Sequence, residues 1–200
     1  MKELLLPYHG RVELTSRYGY RQLNGETNWH NGVDLVGIDS KIITSPCDGV
    51  VGSSQIIMDK ANKTWEWGNY VRIDYKNYSI YLCHMAERFV SKGEYVASGQ
   101  PIGFEGNTGY SFGNHCHFEV RLNNSPIDPT PLLGIFNGAG VYENDKEIKY
   151  GHNWSEDAIK WAIENGILKG YSDTTTDYKL DNFVTREEML VFLYRFYKNC

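Results

Sequence analysis

Between residue 1 and about residue 133, apolar positions recur in short runs that alternate with polar ones. "KIITSPCDGVVGSS", "GNYVRIDYKNYSIYLCHM", "ERFVSKGEYVASGQPIGFEG" and "HCHFEVRLNNSPIDP" carry the pattern. A period of two marks strands whose successive side chains point to opposite faces. Gly, Asn and Ser-Lys-Gly turns break the runs at close intervals, and no helical period of useful length interrupts them. The pattern therefore predicts an antiparallel sheet or sandwich. "GIFNGAGVYENDKEIKYGHN" has no clear period and reads as a linker with room for one short strand. From Trp154 the period becomes helical. Ala158, Ile159, Ala162 and Ile163 share one face, and Gly166 follows as a stop signal. Thr185 and Glu188 form a capping box, after which Met189, Phe192, Leu193 and Phe196 line a second amphipathic helix. The predicted organisation is a mainly β domain over residues 1–135, a linker over 136–152, and a small all-α helix-loop-helix domain over 153–200.

Composition narrows the function classes. A chain of 200 residues can bury one medium core and carry a small appendage. Its 20 Gly and 15 Tyr suit many strands and tight turns. The net charge of −5 is spread along the chain, which leaves neither the basic stripe of a nucleic-acid binder nor a polybasic membrane patch. The apolar run Leu4–Leu6 is stopped by Pro7, too short for the core of a signal peptide, and no later segment could span a bilayer. The expectation is synthesis in the cytosol, or secretion with a leader since removed. Cys47, Cys83, Cys116 and Cys200 include no Cys-x-x-Cys and are expected as free thiols.

Histidines then change the picture. In "WHNGVDLVG", His30 and Asp34 lie four apart, but Asn31-Gly32 makes a turn entering a strand more natural than a helix. Asp34 would face one way, Val33 and Leu35 the other. In "HCHFEV", alternation puts His115 and His117 on one face and Cys116 with Phe118 and Val120 on the opposite, apolar one. That placement argues against a redox role for Cys116 and for a small core residue. "YSIYLCHM" sets His84 on a strand, with Cys83 and Met85 expected to face away. His9 and His152 have no ligand-like neighbours. Two imidazoles and a carboxylate are a known catalytic zinc set that leaves one coordination position open. The helical His-Glu-x-x-His motif is absent, which excludes a thermolysin-like protease.

"HNGVD", "GNYVRIDY", "YSIYLCHM", "VSKGEYVASGQPIGFEGNTGYSFGNHCHFEVR" and "PIDP" together resemble the lysostaphin/LytM-type zinc metallopeptidases, over nearly all of residues 10–133. The resemblance implies a duplicated-hybrid-motif β fold and cleavage of peptide bonds in bacterial peptidoglycan. It implies one Zn²⁺ held by His30, Asp34 and His117, with His84 and His115 as the catalytic pair beside it. Cys116 and Cys83 stand where the family usually has Leu and Ala. "QIIMDKANKTWEW" is longer than the usual hairpin, and Trp65 and Trp67 are expected to add a wall to the cleft. "GFEGNTGYSFGN" lacks the Gly-Lys-Ser/Thr of a phosphate loop and reads as turns forming another wall.

The tail, "WSEDAIKWAIENGILKGYSD" through "TREEMLVFLYRF", resembles one S-layer homology motif. Such repeats bind secondary cell-wall polymers, usually as three copies. A lone repeat buries its apolar face poorly, so docking on the first domain or association into a homo-oligomer is expected, the latter favoured. The leading expectation is a peptidoglycan endopeptidase of phage-endolysin type, released at lysis. A secreted autolysin, a non-catalytic member that kept the fold, and a structural surface-layer protein are the alternatives.

Overall fold

The alternating runs pair into an antiparallel sheet whose two faces differ in chemistry. The computed structural model describes residues 4–23, 25–57, 61 and 65–144. The chain divides into two units, Met1–Lys146 and Glu147–Cys200. The helix-loop-helix expected over 153–200 lies outside the described residues.

In chain order the strands are β1 (Arg11–Ser16), β2 (Gly19–Leu23), β3 (Glu26–His30), β4 (Val33–Gly37), β5 (Ile42–Thr44), β6 (Gly49–Ile56) and β7 (Asn69–Tyr75). They continue as β8 (Tyr78–Cys83), β9 (Glu87–Arg88), β10 (Tyr95–Val96), β11 (Pro101–Phe104), β12 (Cys116–Leu122), β13 (Ser125–Ile127) and β14 (Gly140–Glu143). A 3-10 turn, Trp65–Trp67, and one short helix, α1 (Thr130–Leu133), complete the set. The main sheet runs β10-β6-β7-β8-β12-β4-β1-β14, with β13 sharing an edge of β12. β5-β11-β9 form a three-stranded sheet, and β2-β3 a hairpin.

One face of the main sheet is apolar. Val12, Leu14, Val33, Leu35, Ile73, Ile80, Leu82, Phe118 and Val120 are all fully buried. They share one core with Ile43 and Ile102 of the small sheet and with Leu4, Leu6 and Tyr8 of the N-terminal segment. Each such side chain contributes about 1.5–3 kcal/mol on burial, enough to fix which way every strand faces. Glu105 is buried beside this core, and its charge is met by the Tyr8 hydroxyl at 2.9 Å, the Gly37 amide at 2.9 Å and Lys41 Nζ at 2.8 Å.

The structure fills in one expectation and corrects two. The short strand for which the linker left room is β14, which pairs antiparallel with β1 from Arg11↔Glu143 to Leu14↔Gly140. Asn144 then hydrogen-bonds the backbone of Leu6 and Tyr8. His84 is not on a strand; it follows the last residue of β8 with a left-handed φ of 64°. Cys83 does not face away from the histidines, because it stands opposite His117 in the β8–β12 ladder and directly opposed residues share a face. It packs there with Ile57, Trp67, Tyr70 and Tyr81 in a second apolar cluster. Cys116 occupies the core face, fully buried. Among the described residues, Cys47, Cys83 and Cys116 are free thiols. No described helix is long and apolar enough to cross a membrane.

Candidate metal centre

The polar face of β12 and β4 builds the centre. His117 and Asp34 are directly opposed in the ladder, so their side chains emerge together. Val33 and Leu35 turn into the core on either side and lock Asp34 outward. His30 ends β3, and Asn31-Gly32 carries the chain into β4. A Cβ at Gly32 would lie 2.4 Å from the Phe118 carbonyl oxygen and 2.9 Å from His117 Cε1, so only glycine lets the turn pass so close. The result is a triangle: His30 Nε2 to His117 Nδ1 is 2.9 Å, His30 Nε2 to Asp34 Oδ1 is 3.2 Å, and His117 Nδ1 to Asp34 Oδ1 is 3.1 Å.

Outer contacts decide what those three atoms are. His30 Nδ1 lies 2.8 Å from the Arg17 carbonyl oxygen, which can only accept, so Nδ1 carries the proton and Nε2 a lone pair. His117 Nε2 lies 3.3 Å from Glu119 Oε2, so it donates there and Nδ1 is left with a lone pair. Asp34 Oδ2 accepts from Arg21 Nη1 at 2.8 Å, leaving Oδ1 for the triangle. Three electron pairs thus converge on one point. Ligand atoms about 2.0–2.1 Å from a tetrahedral ion stand roughly 3.3–3.4 Å apart, close to the separations seen. Electrostatics agree that positive charge belongs here. Without an ion a proton on His117 Nδ1 takes that place, to be displaced by a cation: burial alone would lower the ring, but hydrogen bonds to Asp34 and Glu119, and their charges, lift it to about 9. Burial would likewise raise the Asp34 carboxyl, yet in the absence of an ion, protons shared with the His115, His117 and His30 rings hold it far below the usual carboxylate range. His30 is lowered by burial, against the pull of Asp34. The donor set fits a divalent cation such as zinc.

Two further imidazoles stand beside the triangle. His84 and His115 have ring centroids 4.7 Å apart. His84 Nδ1 donates to the Thr108 carbonyl at 2.8 Å and His115 Nδ1 to the Gly113 carbonyl at 2.8 Å. Both rings therefore direct an Nε2 lone pair away from the backbone when neutral, and His115 Nε2 lies 3.5 Å from Asp34 Oδ1. Burial, then the neighbouring His117 and His115, pushes His84 down to about 3, so it stays neutral at ordinary pH.

A groove of about 390 Å³ runs over all five residues. Trp29, Gln22 and Arg21 of the β2–β3 hairpin line it, as do Glu66 and Trp67 and, in the expected glycine-rich segment, Tyr110, Ser111, Phe112 and Gly113. Trp67 is a packed wall, with its ring 4.6 Å from Tyr81; the Trp65 side chain lies outside the described residues.

The residues that orient the site were not among the candidates: Arg17, Thr108, Gly113 and Glu119 hold the histidines, and Arg21 holds Asp34. Glu119 had a visible signal, since His115, His117, Glu119 and Arg121 follow one another at steps of two and share the site face. Backbone carbonyls carry no signature of side-chain type, so Arg17, Thr108 and Gly113 had none.

A sequence model of peptidase family M23 matches residues 28–129, and one of the S-layer homology domain matches residues 149–190. The chain is similar to peptidoglycan DD-endopeptidase ShyA of Vibrio cholerae, 34% identical over 127 residues, covering 61% of this chain and 28% of that protein. It is 29% identical over 124 residues to DD-carboxypeptidase/endopeptidase Mpg of Neisseria meningitidis, covering 60% of this chain and 27% of that one. The chain thus spans well under half the length of these relatives. Among solved structures, the catalytic domain of lysostaphin from Staphylococcus simulans aligns with a TM-score of 0.51 at 25% identity, covering 61% of this chain and 91% of that one. The catalytic domain of EnpA, a prophage-encoded M23 protein from Enterococcus faecalis, aligns at 0.51 and 28% identity, covering 62% and 95%.

Proposed function

Because this chain belongs to peptidase family M23, we propose that it is a zinc-dependent endopeptidase that hydrolyses peptide bonds in bacterial peptidoglycan, in a cross-bridge or a stem peptide. The observation that carries this reading is the convergence of His30 Nε2, His117 Nδ1 and Asp34 Oδ1, each with its other polar atom already engaged. These three residues would hold one zinc ion per chain. When bound, the ion supplies a Lewis acid with an open position, which polarises a carbonyl and makes water nucleophilic near neutral pH.

The chain's own groups do the rest. The groove receives an extended peptide against Gly113 and the Trp67 wall, bringing one amide over the triangle. His84 and His115, each with Nδ1–H tied to a carbonyl, present Nε2 toward that amide. As attack on the carbonyl carbon proceeds, one Nε2 takes the proton of the attacking water. The resulting imidazolium stabilises the oxyanion and returns a proton to the leaving amine. Either ring offers an Nε2 to accept, and a hydrogen bond from either ring in its protonated form serves the oxyanion.

For biological context we favour a phage-type endolysin, made in the cytosol and released at lysis; likeness to a prophage-encoded enzyme supports it. The S-layer homology match supports attachment of the tail to a secondary wall polymer. The test is digestion of purified walls of several cross-link types, with new amino termini identified by mass spectrometry. New termini should appear from at least one wall type, vanish with a chelator and return with Zn²⁺. Termini that persist after complete metal removal, or their absence from every wall, would overturn the proposal.

A further inference from the structure

His117, Glu119 and Arg121 stand in one row on β12, and the row continues beyond the proposed ligand. The Glu119 side chain is only 2% exposed. One of its oxygens accepts from His117 Nε2 at 3.3 Å, the other from Arg121 Nε. The Arg121 guanidinium is itself supported: it lies over the packed Trp67 and Tyr81 rings, its central carbon 5.3 Å from the Trp67 centroid and 5.1 Å from that of Tyr81. A buried carboxylate is costly unless its partners are fixed. Here both partners are fixed, one by the sheet and one by two aromatic faces. Hydrogen bonds from His117 and Arg121 overcome the effect of burial and keep Glu119 ionised.

We propose that Glu119 and Arg121 are a positioning pair for His117: Glu119 holds the ring with Nδ1 toward the cation, and Arg121, resting on the packed Trp67–Tyr81 pair, holds Glu119. The inference rests on the metal centre proposed above. It adds a consequence for the groove wall, because Trp67 also gives its carbonyl to the His84 amide at 2.9 Å. The one residue therefore braces the ligand side through its ring and the His84 side through its backbone.

The test is zinc affinity of the full chain, measured by competition with a chromophoric chelator, alongside thermal unfolding of the metal-free proteins. Glu119→Gln keeps an oxygen for the Nε2 proton and should weaken zinc binding about tenfold, whereas Glu119→Ala should weaken it by up to about 100-fold, the range for losing an outer partner of a ligand. Arg121→Lys keeps the charge but loses the planar stack, and should fall between the parent and Glu119→Ala. A merely structural pair would lower the unfolding temperature and leave zinc affinity unchanged. Glu119→Ala binding zinc as tightly as the parent overturns the inference. If that variant does not fold, parent-like affinity in both Glu119→Gln and Arg121→Lys overturns it equally. A parent that binds no zinc brings down the metal centre itself, a different result from a zinc-binding parent with indifferent variants.

Discussion

Asp34 and His117 occupy opposed positions on β4 and β12, while His84 and His115 lie just outside strands and are held by loops. The contrast is physical. A one-residue slip of β12 would turn Phe118 and Val120 out of the core, so packing of the far face fixes the ligand geometry. His84 stands between buried Cys83 and Met85 but beyond the end of the ladder. It sits at a left-handed φ, which disfavours a side chain bearing Cβ by roughly 1–2 kcal/mol, and is kept there by hydrogen bonds to Trp67 and Thr108. His115 is anchored by a single bridge to Gly106 and by the Gly113 carbonyl. The difference teaches that the metal-binding half depends on the core, and the proton-carrying half on loops that also form the groove.

The largest effect should come from breaking the strand half. Asp34→Ala removes the only anionic member of the triangle and leaves two facing imidazole lone pairs. Zinc affinity should fall by more than the ~10–100-fold that an outer partner costs, and turnover should vanish with it. Zinc titration of the variant checks this; one ion per chain at parental affinity would remove Asp34 from the ligand set. Next comes the loop half. His115→Ala should keep zinc but lose turnover by about 10²–10⁴-fold, the size of an acid–base effect. Parallel zinc titration and wall digestion separate the two halves, and a matching loss of zinc would erase the distinction.

How legible each half was follows from the same contrast. Alternation placed Asp34 between two core residues and separated Cys116 from its flanking histidines, because in a strand the period alone assigns faces. It failed at His84, where the strand ends and a left-handed residue reverses the direction of the next side chain. Assuming continued alternation also put Cys83 on the wrong face, though it stands opposite His117. β14 was legible only as room for one short strand, because "GVYE" is short and starts on Gly; its partner strand, far away in sequence, fixes its place. Glu119 lies on the same period, two residues beyond His117, but only the folded contact shows that it engages the ring.

The smallest effect sharpens the comparison most. Thr108 Oγ1 accepts from the Asn69 amide at 2.9 Å and donates to the Met85 carbonyl at 3.0 Å, tying the loop to the chain on both sides of His84. Near it Gly68 and Gly109, both left-handed, approach so closely that a Cβ on Gly109 would stand 2.5 Å from the Gly68 nitrogen. Thr108→Val keeps the shape and removes the hydroxyl. It leaves the Asn69 N–H without that acceptor, which should cost about 1–3 kcal/mol of stability in denaturant unfolding. The Thr108 carbonyl that holds His84 remains, but on a looser loop, so turnover should fall by less than the His115→Ala loss. Zinc affinity should stay at the parental value, because no contact of His30, Asp34 or His117 passes through Thr108. If zinc affinity instead falls in step with turnover, the two halves are one mechanical unit, coupled through the turn that carries Trp67 and Gly68.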